Sequence, residues 1–455
     1  TTIGDYAFYG CSSLESINIP EGVTSIGDAT FYECSSLESI NIPEGVTRIG
    51  AAAFDCCYNL ANITIPDSVT SIGESAFYGC SRLESINIPD GVKRIGEWVF
   101  NGCSSLKSVT IPDSVTSIGP AAFSSCYALE NVYITDIASW CNIYMVDNDS
   151  NPLYYAENLY LNNELVTHIE IPQGITTIPN YRFSSCNSLT SIVIPNSVTS
   201  IGKYAFDSCS SLKSVTIPDS VTSIGAGAFY ECSSLENISI PDGVTSIADY
   251  TFFKCSNLEN VTIPGSVTSI GEDAFDYCFA LESITLPNSI TSIGSSAFHQ
   301  CNSLRSITIP DSVTNIDKAA FGWCLNLDKV IIGHCSDSND ADYLEDILKS
   351  GCFVGFDRIY PTMFEHQAET IAELILIKKS ILNSLLALLA RFIIYGACTI
   401  TFLKSILFSF ISIKASYVFI SSRRYVTSSL KYSLSSQYPF LSGKEPFGSG
   451  NILKT

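Results

Sequence analysis

The chain has 455 residues, with 45 acidic and 24 basic residues and a formal net charge of −21. Residues 371–455 carry ten Lys or Arg and two acidic residues, whereas residues 1–370 carry 14 basic and 43 acidic residues. An acidic body argues against nucleic acid as a partner, because binding phosphate requires a basic face. The chain begins inside a repeat unit, so we interpret it as a fragment or a processed product.

A repeat of 23 residues dominates the sequence up to about residue 333. Proline recurs at this spacing from Pro20 to Pro112 and again from Pro172 to Pro310, and phenylalanine and cysteine recur with it. The consensus unit is TSIGxxAFxxCSSLxSIxIPDSV. A period of this length predicts stacked units that bury their apolar faces against one another in one continuous core.

Each unit contains the pattern of a short strand followed by a turn. In the first unit, Ile17 and Ile19 alternate with polar residues, which is the period of a strand with one buried face. Pro20 ends this strand because it has no backbone N–H to donate. The spacing of Phe8 and Cys11 is consistent with about one helical turn. We therefore predict a solenoid with one parallel strand in each coil and a short helical or 3-10 segment on the opposite side.

The repeat is interrupted once. Pro112 and Pro172 stand 60 residues apart, which is two repeat lengths and 14 further residues. We expect the insertion within Thr135–Leu159, and we expect Tyr160 in the position that Phe8 has in the first unit. The predicted segments are a first part of the array at 1–135, a degenerate repeat with the insertion at 136–172, a second part of the array at 173–333, a candidate C-terminal cap at 334–370 and an apolar, basic tail at 371–455.

The tail differs in composition from the array. Its segment 381–403 is apolar except for Arg391, and its length is typical of a membrane span. An arginine in the middle of a span costs about 2.5–3.5 kcal/mol. The tail has three interpretations: a membrane anchor, a frame change or assembly error, and a helical domain packed on the body.

The unit TSIGxxAFxxCSSLxSIxIP resembles the BspA-like (Treponema pallidum-type) leucine-rich repeat, from Thr1 to about Gly333. The stretch WCNIYMVDNDSNPLYYAENLYLNNELVTHIEIP is similar to an insertion common in such proteins from gut-type bacteria. The resemblance implies a surface-exposed or secreted protein that mediates adhesion to host matrix, to other microbes or to host receptors. It implies no shared catalytic residues.

The cysteines form the most prominent chemical pattern, because thirteen of the eighteen recur at the repeat spacing. A stack of disulfides or metal ligands is one interpretation. Uniform long spacing favours the other, a column of small buried side chains, since zinc sites need clustered ligands and disulfides need facing Cβ atoms. None of the four histidines lies in a recognisable triad context. We predict no enzyme, no cofactor and no metal site.

Two groups of residues are candidates for binding a partner. Glutamates beside the predicted strands would form an acidic docking face for basic proteins, or simply a solvated polar face. Aromatic residues of the insertion would anchor a partner, or would pack the insertion onto the solenoid. The glutamates are Glu15, Glu38, Glu84, Glu130, Glu236, Glu259 and Glu282, and the aromatic residues are Trp140, Tyr144, Tyr154 and Tyr155.

These observations predict an extracellular or cell-surface module that binds host or microbial macromolecules through an extended repeat surface. The expected partners are proteins or glycoconjugates of the extracellular matrix and cell surface, with membrane contact only through segment 381–403. The alternative is a rigid spacer that displays or targets another domain, such as a catalytic domain.

Overall fold

In the computed structural model, which describes residues 1–332, each 23-residue unit forms one coil of a parallel-strand solenoid. Equivalent residues of neighbouring coils pair in register, as in Ile17 with Ile40 and Ile40 with Ile63. This register places residues of the same type in columns that run along the solenoid. The predicted solenoid and its parallel strand in each coil are confirmed.

Each regular coil contains two short strands rather than one, except the coil at Ser283, where a single parallel bridge to Ser306 replaces the longer strand. The longer strand holds the predicted alternation, with its central residue turned inward and its flanking residues exposed. The shorter strand lies at the following corner, where the isoleucine that precedes the repeat glycine is buried, as at Ile49 and Ile72. The longer strands are Ser16–Asn18, Ser39–Asn41, Asn62–Thr64, Ser85–Asn87, Ser108–Thr110, Asn131–Ile134, His168–Glu170, Ser191–Val193, Ser214–Thr216, Asn237–Ser239, Asn260–Thr262, Ser306–Ile309 and Lys329–Ile332. The corner strands are Thr2–Ile3, Ser25–Ile26, Arg48–Ile49, Ser71–Ile72, Arg94–Ile95, Ser117–Ile118, Thr177–Ile178, Ser200–Ile201, Ser223–Ile224, Ser246–Ile247, Ser269–Ile270, Ser292–Ile293 and Asn315–Ile316.

The side opposite the longer strands consists of successive turns. In the first coil, the N–H of Cys11 donates to the carbonyl of Phe8 and the N–H of Leu14 to that of Cys11, at 3.1 and 2.9 Å. These i→i+3 bonds have the 3-10 pattern but close separate turns and form no continuous 3-10 helix. Left-handed residues such as Tyr6 and Gly10, with φ of 60° and 69°, interrupt them in each coil. Within residues 1–332, regular helix is therefore confined to the insertion.

The core is built from the repeated columns. Phenylalanine rings of neighbouring coils stack with centroids 5.2 to 5.7 Å apart, from Phe8 to Phe123 and again from Phe183 to Phe321. Each fully buried ring removes a large apolar surface from water, worth about 1.5–3 kcal/mol before entropy is subtracted. Stacking of equivalent side chains thus supplies a continuous interior that a single coil lacks.

The cysteine column lines the same interior. All of its thiols are free, and all except Cys11 are buried. Each buried thiol of this column lies close to a backbone carbonyl of the preceding coil, as in the 3.2 Å bond that Cys103 Sγ donates to Phe77 O. Burial raises the pKa of the Cys34 thiol to about 11 and that of Cys126 to about 12. The prediction of small buried side chains is confirmed, and thiols held neutral in this way are poor nucleophiles.

The interruption differs in detail from its prediction. It contains the helix Ile137–Asn142, called α1 below, the 3-10 turns Asn148–Ser150 and Pro152–Tyr154, and the strands Tyr144–Met145, Asn158–Leu161 and Glu164–Leu165. The placement of Tyr160 in the phenylalanine column was wrong. Tyr160 pairs with Tyr133 in the longer-strand ladder, and their rings stack 4.8 Å apart. One coil is longer than the others, because Asn158 lies beside Asn131 after 27 residues instead of 23. An antiparallel hairpin then follows before the array resumes.

No helix among residues 1–332 is long and apolar enough to cross a membrane. The predicted cap at 334–370 and the tail at 371–455, with its segment 381–403, lie outside the described residues.

Candidate interaction surfaces

The predicted glutamates lie in one column beside the longer strands. We call the exposed side chains of these strands, together with this column, the strand face. Backbone bonds hold the column, since the N–H of Glu259 donates to the carbonyl of Glu236 at 2.9 Å. All seven predicted glutamates are exposed. Their backbones therefore stand about 4.8 Å apart wherever they occupy adjacent coils.

Basic residues divide this column. Lys107, Lys213 and Arg305 occupy the same position in their coils. Lys107 Nζ lies 3.3 Å from Glu84 Oε2, so this carboxylate already has a cation beside it. The longest unbroken acidic run is therefore at Glu236, Glu259 and Glu282. Like charges on adjacent strands repel one another, and a basic partner would relieve this repulsion.

The rest of the strand face is polar and bears short hydrogen-bond ladders. Asn260 Nδ2 donates to Asn237 Oδ1 at 2.9 Å, next to the acidic run. The outer column on the other side of the buried isoleucines consists mainly of threonine and asparagine. These groups remain available to water or to a partner, since every second side chain of a strand points outward.

The four aromatic residues of the insertion have different environments. Trp140 is only 1% exposed and lies in the core, so it offers no surface to a partner. Tyr144 and Tyr154 are 67% and 40% exposed. Tyr155 is half-buried, donates its hydroxyl to Asp149 Oδ1 at 3.1 Å and packs edge-on against Tyr154 at 5.1 Å. The structure thus brings Tyr154 and Tyr155 together, while Tyr144 lies on a separate corner strand.

A buried arginine joins the insertion to the second part of the array. Arg182 is 1% exposed, and its guanidinium lies 5.4 Å from the centroid of the Trp140 ring. It donates to the carbonyls of Trp140 and Ile143, at 2.7 and 2.5 Å, near the C-terminal end of α1. In return, the Trp140 indole N–H donates to the carbonyl of Arg182 at 3.2 Å. Desolvation lowers the pKa of Arg182 to about 10, so the side chain stays charged at neutral pH.

Sequence reasoning missed this residue, although a signal was present. Arg182 directly precedes Phe183, where the other coils have alanine, threonine or valine. A lone charged residue in an apolar column indicates either a buried charge or a local break in the fold. Trp140, the partner of this arginine, lies 42 residues earlier in the chain, and no repeat spacing connects the two residues.

A second buried polar contact joins two coils near the end of the described array. His299 Nδ1 lies 2.8 Å from Asp276 Oδ1, and Asp276 is 5% exposed. Desolvation raises the pKa of this carboxyl to about 6. Among residues 1–332, no group of three or more His, Cys, Asp or Glu side chains is placed to hold a metal ion.

The fold defines a leucine-rich repeat protein, a class that generally binds proteins or other macromolecules through an extended surface. The model of the BspA-type leucine-rich repeat region, in six copies, matches residues 1–137, 154–282, 222–341 and 268–371. The chain belongs to the BspA-type leucine-rich repeat family.

The chain is similar to several solved structures of bacterial leucine-rich repeat proteins. A protein from Bacteroides ovatus is 35% identical, with 72% of this chain and 82% of that protein covered, at a TM-score of 0.55. A protein from Eubacterium ventriosum is 26% identical over 68% of this chain and 90% of its own length, at a TM-score of 0.48. A leucine-rich cell surface protein from Faecalibacterium prausnitzii is 32% identical over 62% and 81%, at a TM-score of 0.40. No curated protein matches the chain.

Proposed function

We propose that the chain is a surface-exposed or secreted adhesion module, without enzymatic activity, that binds basic proteins of a host or of other microbes through the strand face. The observation that carries this proposal is the unbroken acidic run on three successive coils at Glu236, Glu259 and Glu282. A backbone hydrogen bond holds Glu259 in register with Glu236, next to the amide bond between Asn260 and Asn237. Membership of the BspA-type family supports a binding role.

The geometry suits multivalent binding. The stacking of the coils, with the backbone bond between Glu259 and Glu236, fixes the backbone spacing before a partner arrives, so the backbone has little order to gain on binding. Each exposed ion pair contributes little alone, about 0–1 kcal/mol, but several contacts on one rigid surface add together. Attraction between an acidic face and a basic partner also speeds the encounter, and it weakens as salt screens the charges.

The test measures binding to the basic, heparin-binding domains of fibronectin and laminin, immobilised as purified matrix proteins, by surface plasmon resonance. The test variant reverses Glu236, Glu259 and Glu282 to lysine. The matched control reverses Asp67, Asp90 and Asp113, which are exposed on three successive coils next to the repeat prolines. Both variants have the same net charge.

We expect saturable binding to at least one matrix protein, weaker at higher salt, and lost in the Glu variant but retained in the Asp variant. Equal loss in both variants would show a general effect of charge and would contradict the proposal. Loss on changing Tyr144 and Tyr154 to alanine, with the Glu variant unaffected, would move the site to the insertion. No saturable binding to either protein would favour the rigid spacer.

A further inference from the structure

A groove runs along the turns of the second part of the array, beside the cysteine column. It has a volume of about 530 Å³. Its floor is a row of equivalent residues, one from each coil, formed by Asn187, Ser210, Ser233 and Ser256, and the row ends at Phe279. We call it the turn groove. Because it crosses five coils, the groove is about 20 Å long.

The floor presents hydroxyl oxygens at the spacing of the coils. Ser210 Oγ donates to Asn187 Oδ1 at 3.0 Å, Ser233 Oγ to the carbonyl of Ser210 at 3.4 Å, and Ser256 Oγ to the carbonyl of Ser233 at 3.3 Å. Each hydroxyl has therefore used its proton within the protein. Its oxygen keeps lone pairs that accept hydrogen bonds, so the floor favours a ligand that is rich in donors.

One wall of the groove carries a charged pair. Lys254 Nζ lies 2.6 Å from Glu231 Oε1, and the same ammonium lies 5.3 Å from the centroid of the Phe253 ring. The pair has no net charge, yet its ammonium and carboxylate can both form further hydrogen bonds. A neutral ligand with many polar groups is better suited to this wall than a strongly charged one.

The end of the groove is aromatic. Phe279 is 40% exposed, and its ring packs at 89° against Tyr277, with centroids 5.7 Å apart. An exposed ring beside a row of hydroxyls combines an apolar platform with aligned hydrogen-bond acceptors. A sugar has the complementary chemistry, because its C–H face packs against an aromatic ring while its hydroxyl groups donate around the rim.

We propose that the turn groove binds an oligosaccharide, with sugar hydroxyls donating to the serine floor and one sugar face resting on Phe279. The groove is long enough for several linked sugar rings. This inference goes beyond the proposed function, because it adds a second ligand class and uses residues that are not part of the strand face.

The first part of the array provides an internal comparison. The same floor row there contains Tyr58, Ser81 and Ser104, but the neighbouring row has Gly79 and Gly102 where the turn groove has Glu231 and Lys254. Without side chains in that row, the serines lack a charged wall beside them. Tyr58 is exposed and occupies the position of Phe279, so it serves as a matched control.

The experiment titrates the chain with cellotetraose, chitotetraose and maltotetraose by isothermal titration calorimetry. We expect at least one tetrasaccharide to bind with saturation. F279A should weaken that binding about tenfold, which corresponds to the loss of one aromatic contact. Y58A should leave it unchanged, and thermal unfolding of both variants should match that of the parent chain.

Absence of binding by all three sugars at millimolar concentration would overturn the inference, as would equal affinities of F279A and Y58A. If F279A instead abolished binding to fibronectin or laminin while no sugar bound, the groove would be a protein site and the oligosaccharide proposal would be wrong. The strand-face variants leave the groove intact, so failure of one proposal is separable from failure of the other.

Discussion

Replacing Arg182 with alanine is predicted to loosen the insertion from the array. Alanine is the residue that precedes the column phenylalanine in most other coils. The guanidinium donates to the carbonyls of Trp140 and Ile143, and both bonds are buried. A hydrogen bond from a charged donor contributes about 1.5–3 kcal/mol, and a buried carbonyl left without a donor costs about 1–3 kcal/mol.

An opposing effect limits this loss. The guanidinium is itself desolvated, and Arg182 Nε has no hydrogen-bond partner among the described residues. Removing a poorly solvated charge recovers part of its burial cost. Weighing two lost charged bonds and the empty volume against this gain, we predict that Arg182→Ala lowers the free energy of unfolding by about 3 kcal/mol.

The assay combines urea unfolding with amide hydrogen exchange resolved by peptide. Arg182→Ala should speed exchange in residues 137–165 much more than in residues 200–320. Arg182→Lys keeps the charge but lacks the planar pair of donors, so it should fall between the parent chain and the alanine variant. The role given to Arg182 would be refuted if the alanine variant lost less than about 1 kcal/mol of unfolding free energy and hydrogen exchange in the insertion were unchanged. A loss that small is within reach of an ordinary surface substitution.

Three further predictions follow from the core and its buried polar groups. Phe229→Ala, in the middle of a ring stack, should lower the free energy of unfolding in urea by about 3–5 kcal/mol. Phe8→Ala should lower it clearly less, because Phe8 is half-buried and has one stacking neighbour. Equal losses would contradict a shared interior. The raised pKa of Asp276 means that the folded chain holds this proton more tightly than the unfolded chain, so stability should fall as pH rises from about 4 to about 6. Asp276→Asn should remove that part of the pH dependence, and identical pH profiles in urea unfolding would refute the assignment. Peptide mapping after iodoacetamide treatment should find Cys11 labelled in the folded chain and Cys255 labelled only on unfolding, whereas rapid labelling of Cys255 would show an open core.

The repeat itself could be predicted from the sequence because its physical cause is periodic. A residue type that recurs every 23 positions, such as Phe54 or Cys57, has the same neighbours in each coil and must have the same environment. The alternation at Ile17 and Ile19 gave the strand and its buried face in the same way. The exposed glutamate column follows from the register alone, although its division by Lys213 and Arg305 becomes significant only when adjacent coils are seen together.

The interruption could not be predicted in detail because it lacks that periodicity. The helix α1 has only six residues, too few for a helical pattern to be distinguished. The packing of Trp140 depends on Arg182, a contact between residues without a common repeat position. The turn groove was missed because its residues lie 23 apart in a polar row, which in sequence has the same appearance as ordinary turn residues.

The most direct test of in-register stacking is to delete one coil. Deleting residues 223–245 removes 23 residues and joins Thr222 to Ser246, so that Phe206 meets Phe252 in the ring stack. A control deletion of residues 223–239 joins coils out of phase. Circular dichroism with thermal unfolding should show a cooperative, native-like array for the whole-coil deletion and loss of structure on one side of the junction for the control. Equal tolerance of both deletions, or equal disruption by both, would contradict a solenoid held together by matched columns.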